Sequence, residues 1–117
     1  MTVAERAKQL YVDCENTNPN DNTLLAYGFI KKGFDFNAFM VMGMLVNRYA
    51  TGKVTDWAPL NKETFMVFNK EDWTNVKSAL YKLEKKGYVE TKFENNQNYV
   101  RLLDNDFVFD ENTYRRQ

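Results

Sequence analysis

The chain holds little that could make or break bonds. None of its 117 residues is histidine, and one, Cys14, is cysteine. That removes Ser–His and Cys–His nucleophile pairs, imidazole acid–base work and His-based metal sites together. A zinc site would have to be built from carboxylates, which zinc rarely accepts alone. Cys14 reads as a small buried residue, with no disulfide partner in the chain. Asp104-Asn105-Asp106 and Asp110-Glu111 carry carboxylates at cation-binding spacing. They lack the glycine and terminal glutamate of an EF-hand loop and read as solvated turns. Gly28 to Gly33 lacks the Gly-Lys-Ser/Thr ending of a phosphate loop. The expectation is a protein with no catalytic residues, no metal and no cofactor. What remains is contact chemistry: hydroxyls, amides, ammonium groups and one carboxylate at Glu71, Thr74, Asn75, Lys77, Ser78, Tyr81, Lys82 and Lys85. A second set lies at Lys92, Asn95, Asn96, Gln97, Asn98 and Arg101.

The first set needs a helix to carry it. Trp73, Val76, Leu80 and Leu83 recur at helical spacing, so one stripe faces a core and the polar set faces away from it. Asn69 can cap this helix, and Gly87 can end it by a left-handed turn. The second set needs a hairpin. Tyr88 to Glu94 alternates, with Val89, Thr91 and Phe93 on one face. Asn95 to Asn98 reads as the tip and Tyr99 to Leu103 as the return strand. Upstream, Asn61 can cap a brief helix through Phe68. Val54 to Trp57 is an extended candidate that Pro59 bars from continuing. Asp35 to Tyr49 is a helix apolar on many sides, ended near Gly52, so either the N-terminal segment or a second subunit must cover it. Val3 to Val12 is a short helix, with Thr2 and Glu5 at capping-box spacing and Ala4, Ala7, Leu10 and Tyr11 as its apolar side. The Asn-rich stretch 16–22 is a loop, and Thr23 to Ile30 reads as a strand interrupted at Gly28. Phe107-Val108-Phe109 would add an edge strand or pack on the core. Trp57 and Trp73 are assigned to the core, as are Met40, Met42 and Met44.

From Asp35 the order is helix, short extended piece, short helix, longer helix and β-hairpin. The stretch from Trp73 to Glu90, ending Leu-Glu-Lys-Lys-Gly-Tyr-Val-Glu, resembles the recognition helix and first wing strand of MarR-like repressors and of phage and plasmid replication-initiator winged helices. The resemblance covers about residues 60–103, extends more weakly from 35, and omits both ends. It implies an α+β winged helix-turn-helix, with three or four helices and a C-terminal hairpin wing. The segments are then 1–33, packing on the core or on a partner subunit, 34–103 as the winged helix, and 104–117 as a tail. It also implies a sequence-specific DNA-binding protein acting in transcription or replication control, and the single cysteine points to a reducing, cytoplasmic setting. Frequent Asn and Lys add the suggestion of a phage or other AT-rich source. Asn75 would read adenine, Thr74 and Ser78 would meet bases or phosphates, and Tyr81 would share their face. Lys77, Lys82 and Lys85 would lie near phosphates. Lys92, Asn96, Asn98 and Arg101 would approach the backbone or minor groove from the wing.

The charge balance restrains this. Sixteen basic residues meet sixteen acidic ones, which counts against a nonspecific, charge-driven DNA binder. A homodimer, formed through the 36–49 helix and the N-terminal segment, would partly offset the weak charge of one copy. The rival expectation is a winged-helix adaptor that binds a protein of the transcription or replication machinery. A continuous positive strip around Ser78, Lys82 and Lys92 would favour DNA. A mixed strip would favour protein. No apolar run is long enough for a membrane helix, and no membrane partner is expected.

Overall fold

Thr2 and Glu5 start the first helix by bonding reciprocally. The Glu5 amide donates to the Thr2 hydroxyl at 3.1 Å, and the Thr2 amide donates to the Glu5 carboxylate at 3.3 Å. These bonds also hold the Glu5 carboxyl below its ordinary pKa, the Thr2 backbone bond most of all. The computed structural model describes residues 1–15, 17–21, 23–61 and 70–115, with side chains from 72 onward in the last segment. Helix α1 is Val3–Asp13 and buries Ala7, Leu10 and Tyr11. Helix α3 is Phe36–Ala50, capped by the Asp35 carboxylate, which accepts from the Ala38 amide at 2.9 Å. Ten of its fifteen residues are buried, because α1 lies on one side and the helix Lys70–Lys85, here α4, on another. The N-terminal segment therefore covers the apolar helix.

One expectation fails outright. Thr23 to Ile30 is not a strand: Gly28–Lys31 forms a single helical turn, α2, and Tyr27 before it already has helical backbone angles. The burial pattern explains this. Leu24 and Phe29 are buried while Leu25, Tyr27 and Ile30 are exposed, which is not the alternation of a strand. Phe29 is drawn into an aromatic cluster, with Phe34, Tyr88, Phe107 and Tyr114 at ring separations of 5.1–6.0 Å. Gly28 is required there, because a Cβ would sit 2.7 Å from the Thr113 Cα.

The extended piece is also displaced. Strand β1 is Ala58–Pro59, not 54–57, and it includes the proline. Its place at the sheet edge accounts for this, since a proline there removes no ladder bond from an interior strand. Strands β2, Val89–Glu94, and β3, Gln97–Leu102, form an antiparallel hairpin, and the sheet order is β1-β3-β2. The tip is shorter than expected. Asn95 and Asn96 alone turn the chain, both with positive φ (52° and 60°), the conformation of a two-residue hairpin turn that asparagine tolerates. Gln97 and Asn98 belong to β3. On the Val89, Thr91, Phe93 face only Val89 is buried, and Phe93 is 68% exposed, since the hairpin extends beyond the core.

The tail packs on the core through turns, with Val108, Phe109 and Tyr114 buried. Arg6 of α1 bonds Asp104 and Asp106 and stacks on Phe109. Tyr49 ties α3 to the sheet: its hydroxyl donates to the Asp56 carbonyl and accepts the Leu102 amide at 3.2 Å. The buried Asn47 amide donates to the Pro19 carbonyl and so anchors the Asn-rich loop. One hydrophobic core thus runs from Ala7 to Tyr114. No helix among the described residues is long and apolar enough to cross a membrane.

Candidate nucleic-acid interface

Helix α4 separates its residues as its periodicity requires. Val76, Ala79, Leu80 and Leu83 are buried, and Trp73 is half-buried against the core. Thr74, Asn75, Lys77, Ser78, Tyr81, Lys82 and Lys85 are all exposed on the other side. The side chain of Glu71, the helix expected between Asn61 and Phe68 and the cap expected at Asn69 lie outside the described residues. Gly87, at φ 78°, turns the chain from α4 into β2.

The cations on this face differ in their partners. Lys82 pairs with Asp35 at 3.2 Å. Asp35 is thus both the cap of α3 and a counter-ion of α4, and its carboxyl is held below the ordinary carboxylate value, first by the Ala38 amide and then by Lys82. Lys85 lies over the Tyr81 ring at 4.6 Å, a contact that positions the ammonium without neutralising it. Among the described residues, Lys77, Lys85 and Lys86 have no carboxylate at ion-pair distance.

The hairpin is arranged otherwise. Arg101 reaches Glu90 at 2.6 Å and Asp56 at 3.5 Å. Lys92 reaches Glu94 at 2.8 Å, which holds the Glu94 carboxyl below its ordinary value. Both cations lie over the ring of the half-buried Trp57, each at 4.4 Å. Trp57 is therefore not a core residue, as its type suggested, but the platform on which the hairpin cations rest. Asn96 and Asn98 are exposed at and beside the tip, and the Asn98 carbonyl accepts from the Leu60 amide at 2.8 Å. The strip around Ser78, Lys82 and Lys92 is accordingly mixed, since Lys82 holds Asp35 and Lys92 holds Glu94, while Lys77 and Lys85 flank it on α4.

Sequence reasoning brought the α4 face together and missed the carboxylates that limit it. On sequence alone Asp35, Asp56 and Glu84 have no role there, and Glu90 counts only as an acid near the wing that would repel phosphate. The Glu90–Arg101 pair had a readable signal, because a two-residue turn at Asn95-Asn96 puts those residues directly opposite each other. Asp35 had none, since its approach to Lys82 spans 47 residues of chain.

Other groups are engaged structurally. Asp110 caps the 3-10 turn Glu111–Thr113 and Glu111 pairs with Arg115 at 3.2 Å. No cluster of three metal-ligating side chains occurs among the described residues. Cys14 is buried, and burial raises its thiol pKa, which makes it a poor nucleophile. No family model, curated protein or solved structure matches the chain.

Proposed function

We propose that the chain is a winged-helix protein that docks on duplex DNA, with the polar face of α4 in the major groove and the β2–β3 hairpin as the wing. The observation that carries this reading is an arrangement. A helix (α3), an edge strand (β1), a long helix (α4) and a hairpin follow one another, the sheet order is β1-β3-β2, and the polar face of α4 is left uncovered. Winged helices present their recognition helix in this way. Asn75 offers the amide that pairs with an adenine edge, and Lys77 offers a charge for phosphate. The helix carries the contact, and the wing contributes its asparagine tip more than its charge, because its cations already hold carboxylates.

Selection from a random duplex pool at low salt tests this. Enrichment of one sequence is expected, and Asn75→Ala should flatten that preference by about tenfold at one position, the worth of one bidentate base contact. No enrichment at low salt, where phosphate contacts are strongest, would overturn the reading.

The second reading is a winged-helix protein adaptor. Specific observations favour it: the mixed strip around Ser78, Lys82 and Lys92, the compensated hairpin, and the exposure of Tyr81 and Phe93 at 60% and 68%, since aromatic residues are enriched in protein interfaces. Capture of a protein partner that Tyr81→Ala and Phe93→Ala both abolish, with no DNA enrichment, would select it.

A further inference from the structure

A shallow groove of about 230 Å³ lies between the turn after α2 and the last turn of α4. Lys32, Gly33, Phe34, Lys82, Lys85 and Lys86 line it. In a chain of zero net charge, four lysine side chains line one groove, and among the described residues the carboxylate paired with them is Asp35, on Lys82. Glu84, on the same turn of α4, is bonded to the Thr91 amide and hydroxyl at 2.7 and 2.5 Å. Lys32 rests over the Phe107 ring at 4.1 Å and Lys85 over Tyr81 at 4.6 Å. These contacts hold the two ammonium groups in place and leave their charge available. The nearly buried Phe34 adds an apolar surface.

Helix geometry alone accounts for part of this. Lysines in a last helical turn complement the helix dipole, which covers Lys82 and Lys85. It does not cover Lys32, which comes from a separate element and is a lining residue of the same groove. Like charges three residues apart on a helix repel, so Lys85 sets a second ammonium beside Lys82, one more than Asp35 offsets. The amides of Gly33 and Phe34 are already donated to Ile30 and Phe29, at 3.0 and 2.9 Å. The ammonium groups would therefore bind as point charges.

We propose that this groove binds a phosphate group, carried either by a compact polyphosphate or by the phosphodiester backbone of a nucleic acid. The site is separate from the base-reading end of α4. Lys85 lies ten residues after Asn75, about 15 Å along the helix axis.

Inorganic tripolyphosphate is the probe, titrated at low ionic strength by calorimetry, with thermal melting as a second readout. The wild-type chain should bind it saturably and melt at a higher temperature in its presence. Lys85→Gln/Lys86→Gln should weaken binding about tenfold, while the charge-matched Lys8→Gln/Lys53→Gln should change it less than about twofold. Asn75→Ala should leave it unchanged, which separates this site from the base-reading face. Competition between tripolyphosphate and a random-sequence duplex assigns the site to the nucleic-acid backbone. Indifference of the duplex assigns it to a free polyphosphate. No saturable binding of tripolyphosphate, or equal losses in both double variants, would overturn the proposal.

Discussion

The polar face of α4 and the β2–β3 hairpin carry similar residue types and differ in what those residues already hold. On α4, Lys77 has no carboxylate at ion-pair distance among the described residues, and Lys85 is held by an aromatic ring. On the hairpin, Lys92 and Arg101 are each paired with carboxylates and stacked on Trp57. Exposure is therefore not the same as availability. A phosphate approaching Lys77 displaces water, whereas one approaching Arg101 must displace Glu90 and Asp56, at distances of 2.6 and 3.5 Å. Surface ion pairs contribute little to stability, but they set the charge that a partner meets. The register explains the contrast. Antiparallel pairing places Glu90 opposite Arg101 and Lys92 opposite Tyr99, and cross-strand pairs of opposite charge are favourable in such ladders.

Variants can sharpen or break this comparison. The largest difference is expected between Lys77→Glu and Lys92→Glu. The first should weaken duplex binding by more than about tenfold at low salt, and the second by less than about threefold, because its charge is already compensated. Equal losses, measured by fluorescence anisotropy, would erase the distinction between helix and hairpin. Asp35→Ala comes next, because it acts on both stability and charge. Loss of the α3 cap should cost about 1 kcal/mol in chemical denaturation, while release of Lys82 should strengthen duplex binding.

The same carboxylate sets a pH dependence. Its folded pKa is depressed, so its stabilising contribution is present above its unfolded value and lost as pH falls through the folded one. Asp35→Asn should flatten that acid limb of the stability profile. A smaller effect is expected from Glu90→Gln. It frees part of the Arg101 charge and should raise duplex affinity by about twofold, and no change would mean that Asp56 alone suffices to hold Arg101. Away from the charged surfaces, Gly28→Ala should destabilise the fold by about 1–3 kcal/mol, since its Cβ meets backbone rather than a movable side chain.

Much of the scaffold was legible because it is local. The Thr2–Glu5 box, the α3 and α4 stripes and the Gly87 turn each follow from residues within a few positions of one another. Most of the failures are tertiary. Thr23 to Ile30 has a strand's composition, and Phe29 is drawn instead into a cluster with Tyr88, Phe107 and Tyr114, from distant parts of the chain. Trp57 has a core residue's type and serves as a platform for two cations. The α4 face was readable as a set of polar positions, but not as a set of free charges. Which lysine is compensated depends on Asp35, and no spacing rule connects Asp35 to Lys82. The hairpin pairs stood closer to view, hidden by reading four residues at the tip where two make the turn.

The most direct test of the central claim, that α4 and not the hairpin supplies the free charge, is the salt dependence of duplex binding. Affinity would be measured across a salt series for wild type, Lys77→Gln and Arg101→Gln. The account predicts that Lys77→Gln lowers the slope of log affinity against log salt by about one, the loss of one phosphate contact, while Arg101→Gln leaves it unchanged. A slope lowered by Arg101→Gln and untouched by Lys77→Gln would contradict it.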